Sequence, residues 1–181
     1  MRVLAVIPAR YGSTRFPGKP LAQLRGKPVI QHVYEQVAKA TQGDEVVGAT
    51  DDDRLRDAVT QFRGAVEMTS PDAASGTERV AAVARTRRNA QVVINVQGDE
   101  PLIRPDMVDQ LADYLAHHTD VPMASLMTPL QREDDGNDPN VVKVVVDEQG
   151  LALYFSRAPI PFMRERGRQP MPRFYKHLGI Y

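Results

Sequence analysis

Short apolar runs alternate with longer segments in which apolar residues recur every three or four positions. The runs are short enough for buried parallel strands, and they lie at residues 3–7, 45–49, 65–68 and 92–96. The segments with helical spacing are predicted to begin at Pro28, at Asp51 or Asp52, at Ser75 or Thr77, and at Pro105. This alternation predicts an α/β fold with a mostly parallel, doubly wound sheet and helices on both of its faces.

The pattern changes after residue 120, where strands are predicted at 121–127, 141–147 and 151–155. We expect these strands to form a small mixed-strand appendage to the parallel sheet. With 181 residues, of which 42% are hydrophobic, the chain can bury one sizeable core, so one domain over residues 1–181 is predicted. The last residues, Gly179 to Tyr181, resemble the middle of a strand, and we expect that a C-terminal part of the fold is missing.

Composition excludes several classes of protein. Lys plus Arg equals Asp plus Glu at 23 each, and this balance argues against a nucleic-acid binder. The absence of cysteine excludes disulfide scaffolds, cysteine-ligated metals and thiol catalysis. Neither a membrane span of about 18 apolar residues nor a signal-peptide core is present, so a cytoplasmic protein with no membrane partner is expected.

The charges are distributed unevenly along the chain. No acidic residue precedes Glu35, although Arg and Lys occur repeatedly before it, whereas acidic residues dominate residues 91–156. A solvated surface usually mixes both signs. This asymmetry indicates an anionic ligand near the N-terminus and a cation near the middle of the chain.

The loop at residues 8–20 follows the first strand, and ligands bind at the carboxyl ends of strands in open α/β sheets. Its chemistry suits a polyphosphate, because it combines cationic side chains and hydroxyls with glycines that let backbone amides approach. The cationic and hydroxyl residues are Arg10, Ser13, Thr14, Arg15 and Lys19. A flexible basic surface loop is the alternative interpretation.

This loop differs from two common nucleotide-binding motifs. Gly12 and Gly18 are separated by five residues rather than the four of a P-loop, and Pro20 replaces its magnesium-binding hydroxyl residue. The glycine fingerprint of dinucleotide-binding folds is also absent, which disfavours a nicotinamide-dependent dehydrogenase.

Asp99 lies in the segment Gln97 to Pro101, which directly follows the apolar run at 92–96. A carboxylate at the end of a buried strand, facing a basic loop, suits Mg²⁺ that bridges phosphate oxygens. A turn or helix-capping residue is the alternative interpretation. Ser75, Gly76 and Arg79 could likewise form a plain helix start or contact a ligand there, whereas Asp52 and Asp53 are best explained as helix-capping residues.

Several segments together resemble the 3-deoxy-manno-octulosonate cytidylyltransferase family of nucleotidyltransferases, the CMP-KDO synthetases. The loop at residues 8–21 alone also resembles CMP-sialic acid synthetases and other nucleotidyltransferases, and the later segments are more specific. These lie, in the same order along the chain, at residues 49–51, 75–79, 95–101, 153–157 and 177–181.

The resemblance implies that CTP and 3-deoxy-manno-octulosonate (KDO) are converted to CMP-KDO and pyrophosphate for lipopolysaccharide synthesis. It implies four catalytic residues, Arg10, Arg15, Lys19 and Asp99, of which Asp99 would bind the Mg²⁺ cofactor. The CTP-binding residues implied are Ala9, Arg10, Ser13, Thr14, Arg15, Lys19, Thr50, Ser75, Gly76 and Arg79. The sugar-binding residues implied are Gln97, Arg157, His177 and Tyr181.

The resemblance also implies a longer chain, in which the part expected to be missing here would carry a second metal-binding aspartate and much of a homodimer surface. Two alternatives are a related cytidylyltransferase, for sialic acid or a KDO variant, and a non-catalytic nucleotide-binding fragment.

Overall fold

A computed structural model describes residues 1–12, 16–130, 136–162 and 174–181. The chain divides into two compact units, one of Met1–Ala124 with Ile180–Tyr181 and the other of Ser125–Gly179. One domain over residues 1–181 stays a prediction. Among the described residues, no helix has the length and hydropathy needed to cross a membrane.

The first unit contains a sheet of four parallel strands and four α-helices. Its elements in chain order are β1 (Val3–Pro8), a 3₁₀ helix (Lys19–Leu21), β2 (Gln23–Leu24), β3 (Lys27–Pro28), α1 (Val29–Val37), β4 (Glu45–Thr50), α2 (Asp53–Gln61), β5 (Val66–Met68), α3 (Gly76–Thr86), β6 (Val92–Asn95) and α4 (Pro105–His117). The strand order is β5-β4-β1-β6, and all neighbours are parallel.

Strand β1 lies inside this sheet, and all six of its residues are buried. Leu4 and Val6 pack with Val80 and Val83 of α3 on one face of the sheet. Side chains alternate along a strand, so Ala5 and Ile7 face the other side of the sheet. Helices α1 and α4 contact each other and pack against β1 and β6, respectively. The predicted α/β class with a parallel sheet is confirmed.

Two of the helices begin at residues that the sequence offered as alternatives. The Asp52 carboxylate accepts a hydrogen bond from the backbone N–H of Arg54 at the start of α2. The Ser75 hydroxyl accepts one from the N–H of Glu78 at the start of α3. These caps satisfy amides that have no partner inside the first turn, and so they set where both helices begin.

The second unit contains β7 (Leu126–Pro129), β8 (Lys143–Val146), β9 (Ala152–Ser156) and β10 (Tyr175–Leu178). Their order is β7-β10-β8-β9, and every neighbouring pair is antiparallel rather than mixed. The strand predicted at 121–127 begins only at Leu126. The chain first turns, with the Val121 N–H bonded to the His118 carbonyl, and Pro122 has no N–H to donate to a ladder.

Candidate active site

A cleft of about 460 Å³ lies in the first unit, at the carboxyl ends of β1 and β6. This is the edge at which open α/β sheets bind ligands. The residues that line it are Pro8, Ala9, Arg10, Lys19, Pro20, Ala73, Ala74, Ser75, Gly76, Arg79, Gln97, Gly98 and Asp99. The fold thus brings together three segments that are far apart in the sequence.

The basic loop enters the cleft from β1. The N–H of Ala9 donates to the carbonyl of Ala49, so the backbone stays anchored to the sheet just beyond the strand. Arg10 is exposed at the cleft, and its guanidinium is available to solvent and ligand alike. Ser13, Thr14 and Arg15 lie outside the described residues, and their predicted roles stay predictions.

Lys19 begins the 3₁₀ helix at the far end of the same loop. Gly18 adopts a left-handed conformation with φ of 71°, and its N–H donates to the carbonyl of Tyr11 over 2.8 Å. A Cβ at Gly18 would lie 2.8 Å from a ring carbon of Tyr11, so both the backbone and the packing require glycine. This closure places the start of the 3₁₀ helix, and with it Lys19, at the cleft.

The segment after β6 forms the opposite wall. A Cβ at Gly98 would lie 2.8 Å from the carbonyl oxygen of Pro8, so only glycine lets the two segments approach this closely. Next to it, the Asp99 carboxylate accepts a hydrogen bond from the Lys19 ammonium over 2.8 Å. Both side chains are about half exposed, so water screens the pair and a competing ion or phosphate can replace either partner.

The N-terminus of α3 lies at the cleft, with Ser75 and Gly76 among the lining residues. Unpaired amides and the helix dipole make such a position favourable for an anion. Ser75 both caps α3 and lines the cleft. A helix-start role and a ligand-binding role for this residue therefore do not exclude each other.

Arg79 is almost fully buried behind this helix start. Its guanidinium donates to the Asp51 carboxylate and the Thr69 hydroxyl, each over 2.6 Å, and to the Ser70 carbonyl. Arg79 therefore ties the end of β4 and the segment after β5 to α3, in addition to lining the cleft. The role of Asp51 was missed from the sequence, because its partner lies 28 positions away.

Thr50 is buried and is not among the residues that line the cleft. Its hydroxyl accepts a hydrogen bond from the N–H of Asp52, so it supports the start of α2. Its predicted contact with CTP stays a prediction.

The predicted sugar-binding residues lie in different places. Gln97 lines the cleft. The Tyr181 hydroxyl accepts a hydrogen bond from the Asn95 amide over 2.7 Å and lies 2.6 Å from the Thr77 hydroxyl. Its backbone also pairs with Asn95, so the C-terminal residue is anchored at the end of β6.

Arg157 and His177 belong to the second unit. Arg157 is exposed, and its Nη1 donates to the carbonyl of Pro139 over 2.8 Å. His177 lies with Nε2 2.7 Å from the Ser125 hydroxyl, and its ring meets the edge of Phe155. Burial lowers the pKa of His177, because the charged imidazolium loses solvation.

Asp99 is the acidic residue that lines the cleft, and the described residues contain no group of three or more acidic or histidine side chains suited to a metal ion. A lone carboxylate fits Mg²⁺ that takes its other ligands from substrate phosphates and water. It does not fit a metal held by the protein alone.

Residues 4–181 match the family model described as cytidylyltransferase. The chain is 50% identical to the 3-deoxy-manno-octulosonate cytidylyltransferases of Geobacter sulfurreducens and Idiomarina loihiensis, over all of this chain and 75% and 74% of those proteins.

A solved structure of CMP:2-keto-3-deoxy-manno-octonic acid synthetase complexed with CTP superposes with a TM-score of 0.87 at 42% identity. It covers 99% of this chain and 73% of that one. A more distant structure, 4-diphosphocytidyl-2C-methyl-D-erythritol synthase, shares the fold with a TM-score of 0.56 at 16% identity, covering 83% of this chain and 70% of that one. Taken with the cleft at the end of β1, these matches show that the chain belongs to the cytidylyltransferase family.

Proposed function

We propose that this protein transfers the cytidylyl group of CTP to the anomeric hydroxyl of KDO, giving CMP-KDO and pyrophosphate. The hydroxyl oxygen bonds to the α-phosphorus, the bond from that phosphorus to pyrophosphate breaks, and the hydroxyl proton passes to water. One observation carries the proposal: a cleft lined by Arg10 and Lys19 belongs to a chain that is 50% identical, over its whole length, to 3-deoxy-manno-octulosonate cytidylyltransferases.

The residues of the cleft suit this reaction because it needs no covalent bond to the protein. Arg10 and Lys19 would bind phosphate oxygens, and the amides at the start of α3 add further donors. These groups hold the phosphates in place and stabilise the negative charge that develops on the leaving pyrophosphate. The buried Arg79 keeps the segments around the cytidine in position through Asp51 and Thr69.

We propose Mg²⁺ as the cofactor and Asp99 as its protein ligand. When bound, the ion would neutralise charge on the triphosphate and on the leaving group. The half-exposed Asp99 carboxylate at the cleft supports this assignment. Lys19 neutralises that carboxylate here, and a phosphate that attracts the ammonium would leave the carboxylate available to the ion.

For the sugar, the proposal assigns Gln97, Arg157, His177 and Tyr181. Arg157 is the ligand that suits the KDO carboxylate, since a guanidinium binds a carboxylate through two parallel hydrogen bonds. Gln97, His177 and Tyr181 would form hydrogen bonds with the hydroxyl groups of the sugar. To bind the sugar, the Tyr181 hydroxyl would replace or share its hydrogen bonds with Asn95 and Thr77.

A homodimer, a cytoplasmic location and a place in lipopolysaccharide synthesis are also part of the proposal. The cytoplasm is the compartment that supplies CTP. Sedimentation velocity over a range of protein concentrations tests the dimer directly.

The deciding experiment measures pyrophosphate release with CTP, Mg²⁺ and either KDO or sialic acid. We expect release with KDO, little with sialic acid, and none when Mg²⁺ is chelated. Asp99→Asn should lower turnover far more than it weakens CTP binding, because the amide keeps the shape but loses the charge. Faster pyrophosphate release with sialic acid than with KDO would indicate that the chain is a cytidylyltransferase for a related acid sugar.

A further inference from the structure

Lys143 is a buried cation in the second unit, and the reaction as proposed makes no use of it. It is the first residue of β8, it is fully buried, and it is one of the largest buried side chains in the protein. Its ammonium donates to three backbone carbonyls, those of Asp138, Val141 and Arg157, over 2.8, 2.7 and 2.6 Å. All three of its N–H donors are therefore used.

A buried ammonium is costly to desolvate, and Lys143 forms no ion pair with an acidic residue among the described ones. An apolar side chain of similar length could fill the same space in β8 without that cost. Burial lowers the pKa of Lys143, because the charged ammonium loses its solvation by water. Lys143 connects two separate stretches of chain, because two of its acceptors lie before β8 and the third is the carbonyl of Arg157.

Those two stretches both determine where Arg157 lies. One acceptor is the carbonyl of Arg157 itself, immediately after β9. The other two flank Pro139, whose carbonyl accepts a hydrogen bond from Nη1 of Arg157 over 2.8 Å. Lys143 thus holds the main chain of Arg157 and also the segment on which its guanidinium rests.

This arrangement leaves one edge of the guanidinium open. Arg157 is exposed, and its Nε and Nη2 groups have no hydrogen-bond partner among the residues that the structure describes. These two groups form the parallel pair of donors that matches the two oxygens of a carboxylate. The hydrogen bond from Nη1 to the Pro139 carbonyl favours one orientation of this donor pair before a ligand arrives.

We propose that Lys143 is a positioning residue for Arg157, and that it orients the Nε–Nη2 edge for the carboxylate of the acid sugar. The inference rests on the proposed function, in which Arg157 binds the KDO carboxylate. It adds that the buried lysine acts on that substrate through Arg157 alone.

The test is a double-mutant cycle with Lys143→Met, Arg157→Ala and the double variant. The KM for KDO, kcat and the Kd for CTP are measured for each protein, and circular dichroism verifies folding. We expect Lys143→Met to raise the KM for KDO about tenfold and to leave the Kd for CTP unchanged. In the double variant, KM should equal that of Arg157→Ala, because the lysine has no effect without the arginine.

A second readout uses the methyl ester of KDO. The wild-type protein should prefer the free carboxylate, and Lys143→Met should lose most of that preference, as Arg157→Ala does. A purely structural lysine would not change this ratio. Lys176→Met, on the neighbouring strand β10 and in register with Lys143, is the matched control and should leave both readouts unchanged.

If Lys143→Met fails to fold, Lys143→Gln is measured instead. Its side-chain amide keeps two N–H donors, so we expect a smaller rise in the KM for KDO. A KM increase that is equally large in the wild-type and Arg157→Ala backgrounds overturns the positioning role while leaving Arg157 as a sugar ligand. An unchanged KM in Arg157→Ala overturns both roles, whereas cytidylyl transfer to KDO is tested separately by pyrophosphate release.

Discussion

At the scale of single residues, the cleft depends on a few cations and on glycines that let segments approach. Lys19 and Asp99 neutralise each other across the cleft over 2.8 Å. Gly98 allows the backbone after β6 to touch the backbone at the end of β1. The Lys19–Asp99 pair therefore affects ligand affinity, whereas Gly98 affects packing.

Replacing Lys19 by alanine should weaken CTP binding without unfolding the protein. One charged contact to phosphate is lost, which corresponds to about 1.5–3 kcal/mol of binding free energy. Isothermal titration calorimetry measures the change. Lys27→Ala is the control, because Lys27 pairs with Glu35 and does not line the cleft. Equal affinities for the wild type and Lys19→Ala would remove Lys19 from the phosphate site.

Gly98→Ala should destabilise the fold as well as the site. The added Cβ would lie 2.8 Å from the Pro8 carbonyl oxygen and 3.3 Å from the Ala9 Cβ, so the walls of the cleft must separate. We expect a loss of about 1–3 kcal/mol in the free energy of unfolding, as for other overpacked sites, together with weaker CTP binding. Gly43→Ala, whose Cβ would meet nothing closer than 4.0 Å, should leave both unchanged.

At the scale of elements, ion pairs and caps join the ends of strands to the starts of helices. Arg79 connects α3 to the end of β4 and to the segment after β5. His177 lies in β10, where its ring contacts Ser125 ahead of β7 and Phe155 of β9. The Arg79 contacts join a helix to segments outside its own hydrogen-bonding pattern, whereas the His177 contacts add side-chain interactions within one antiparallel sheet.

Arg79→Met should destabilise the first unit by about 2–4 kcal/mol, since it leaves the Asp51 carboxylate without its cation in a largely buried place. Urea unfolding followed by circular dichroism measures this. The double variant with Asp51→Asn should recover part of the loss, because no unpaired charge then remains. Arg56→Met removes ion pairs with the exposed carboxylates of Asp53 and Asp57 and should have a much smaller effect.

The lowered pKa of His177 predicts a pH dependence of stability. As pH falls below about 6.5, the unfolded chain takes up a proton at this residue before the folded chain does. Stability should therefore decrease as pH falls from that value to the lowered pKa of the folded state. Unfolding midpoints between pH 5 and 8 should depend less on pH in His177→Gln than in the wild type.

At the scale of the whole molecule, the residues that line the cleft all belong to the first unit. Arg157, Lys143 and His177 belong to the second. A ligand that binds only the folded state stabilises the region that it contacts, by an amount set by its concentration relative to Kd.

CTP should therefore slow amide hydrogen exchange at the start of α3 and around Gln97 to Asp99, and not in the β8–β9 hairpin. At a hundredfold excess over Kd, the stabilisation is about 2.7 kcal/mol. Mass spectrometry of exchanged peptides measures it, and Lys19→Ala with the same CTP concentration is the control. Equal protection of peptides from both units would show that nucleotide binding involves the second unit as well.

Local sequence patterns are sufficient to predict the order of the parallel strands and the α-helices in the first unit and the chemistry of its first loop, but not the short β2–β3 hairpin. The buried run of β1, the alternation with helical spacing and the capping positions are local patterns, because side-chain periodicity and unpaired amides depend on near neighbours. The strand predicted at 121–127 was less well placed, since hydrophobicity alone does not show that Pro122 interrupts a ladder.

Which distant groups meet follows from the tertiary structure alone. The pairing of Arg79 with Asp51 and the contact of Gly98 with Pro8 join positions far apart in the chain. The burial of Lys143 among three carbonyls depends on how the segment before β8 and the end of β9 fold around it. A lysine in a sequence is normally a surface residue. Its burial follows from the folded backbone, which supplies all three acceptors and takes the place of water.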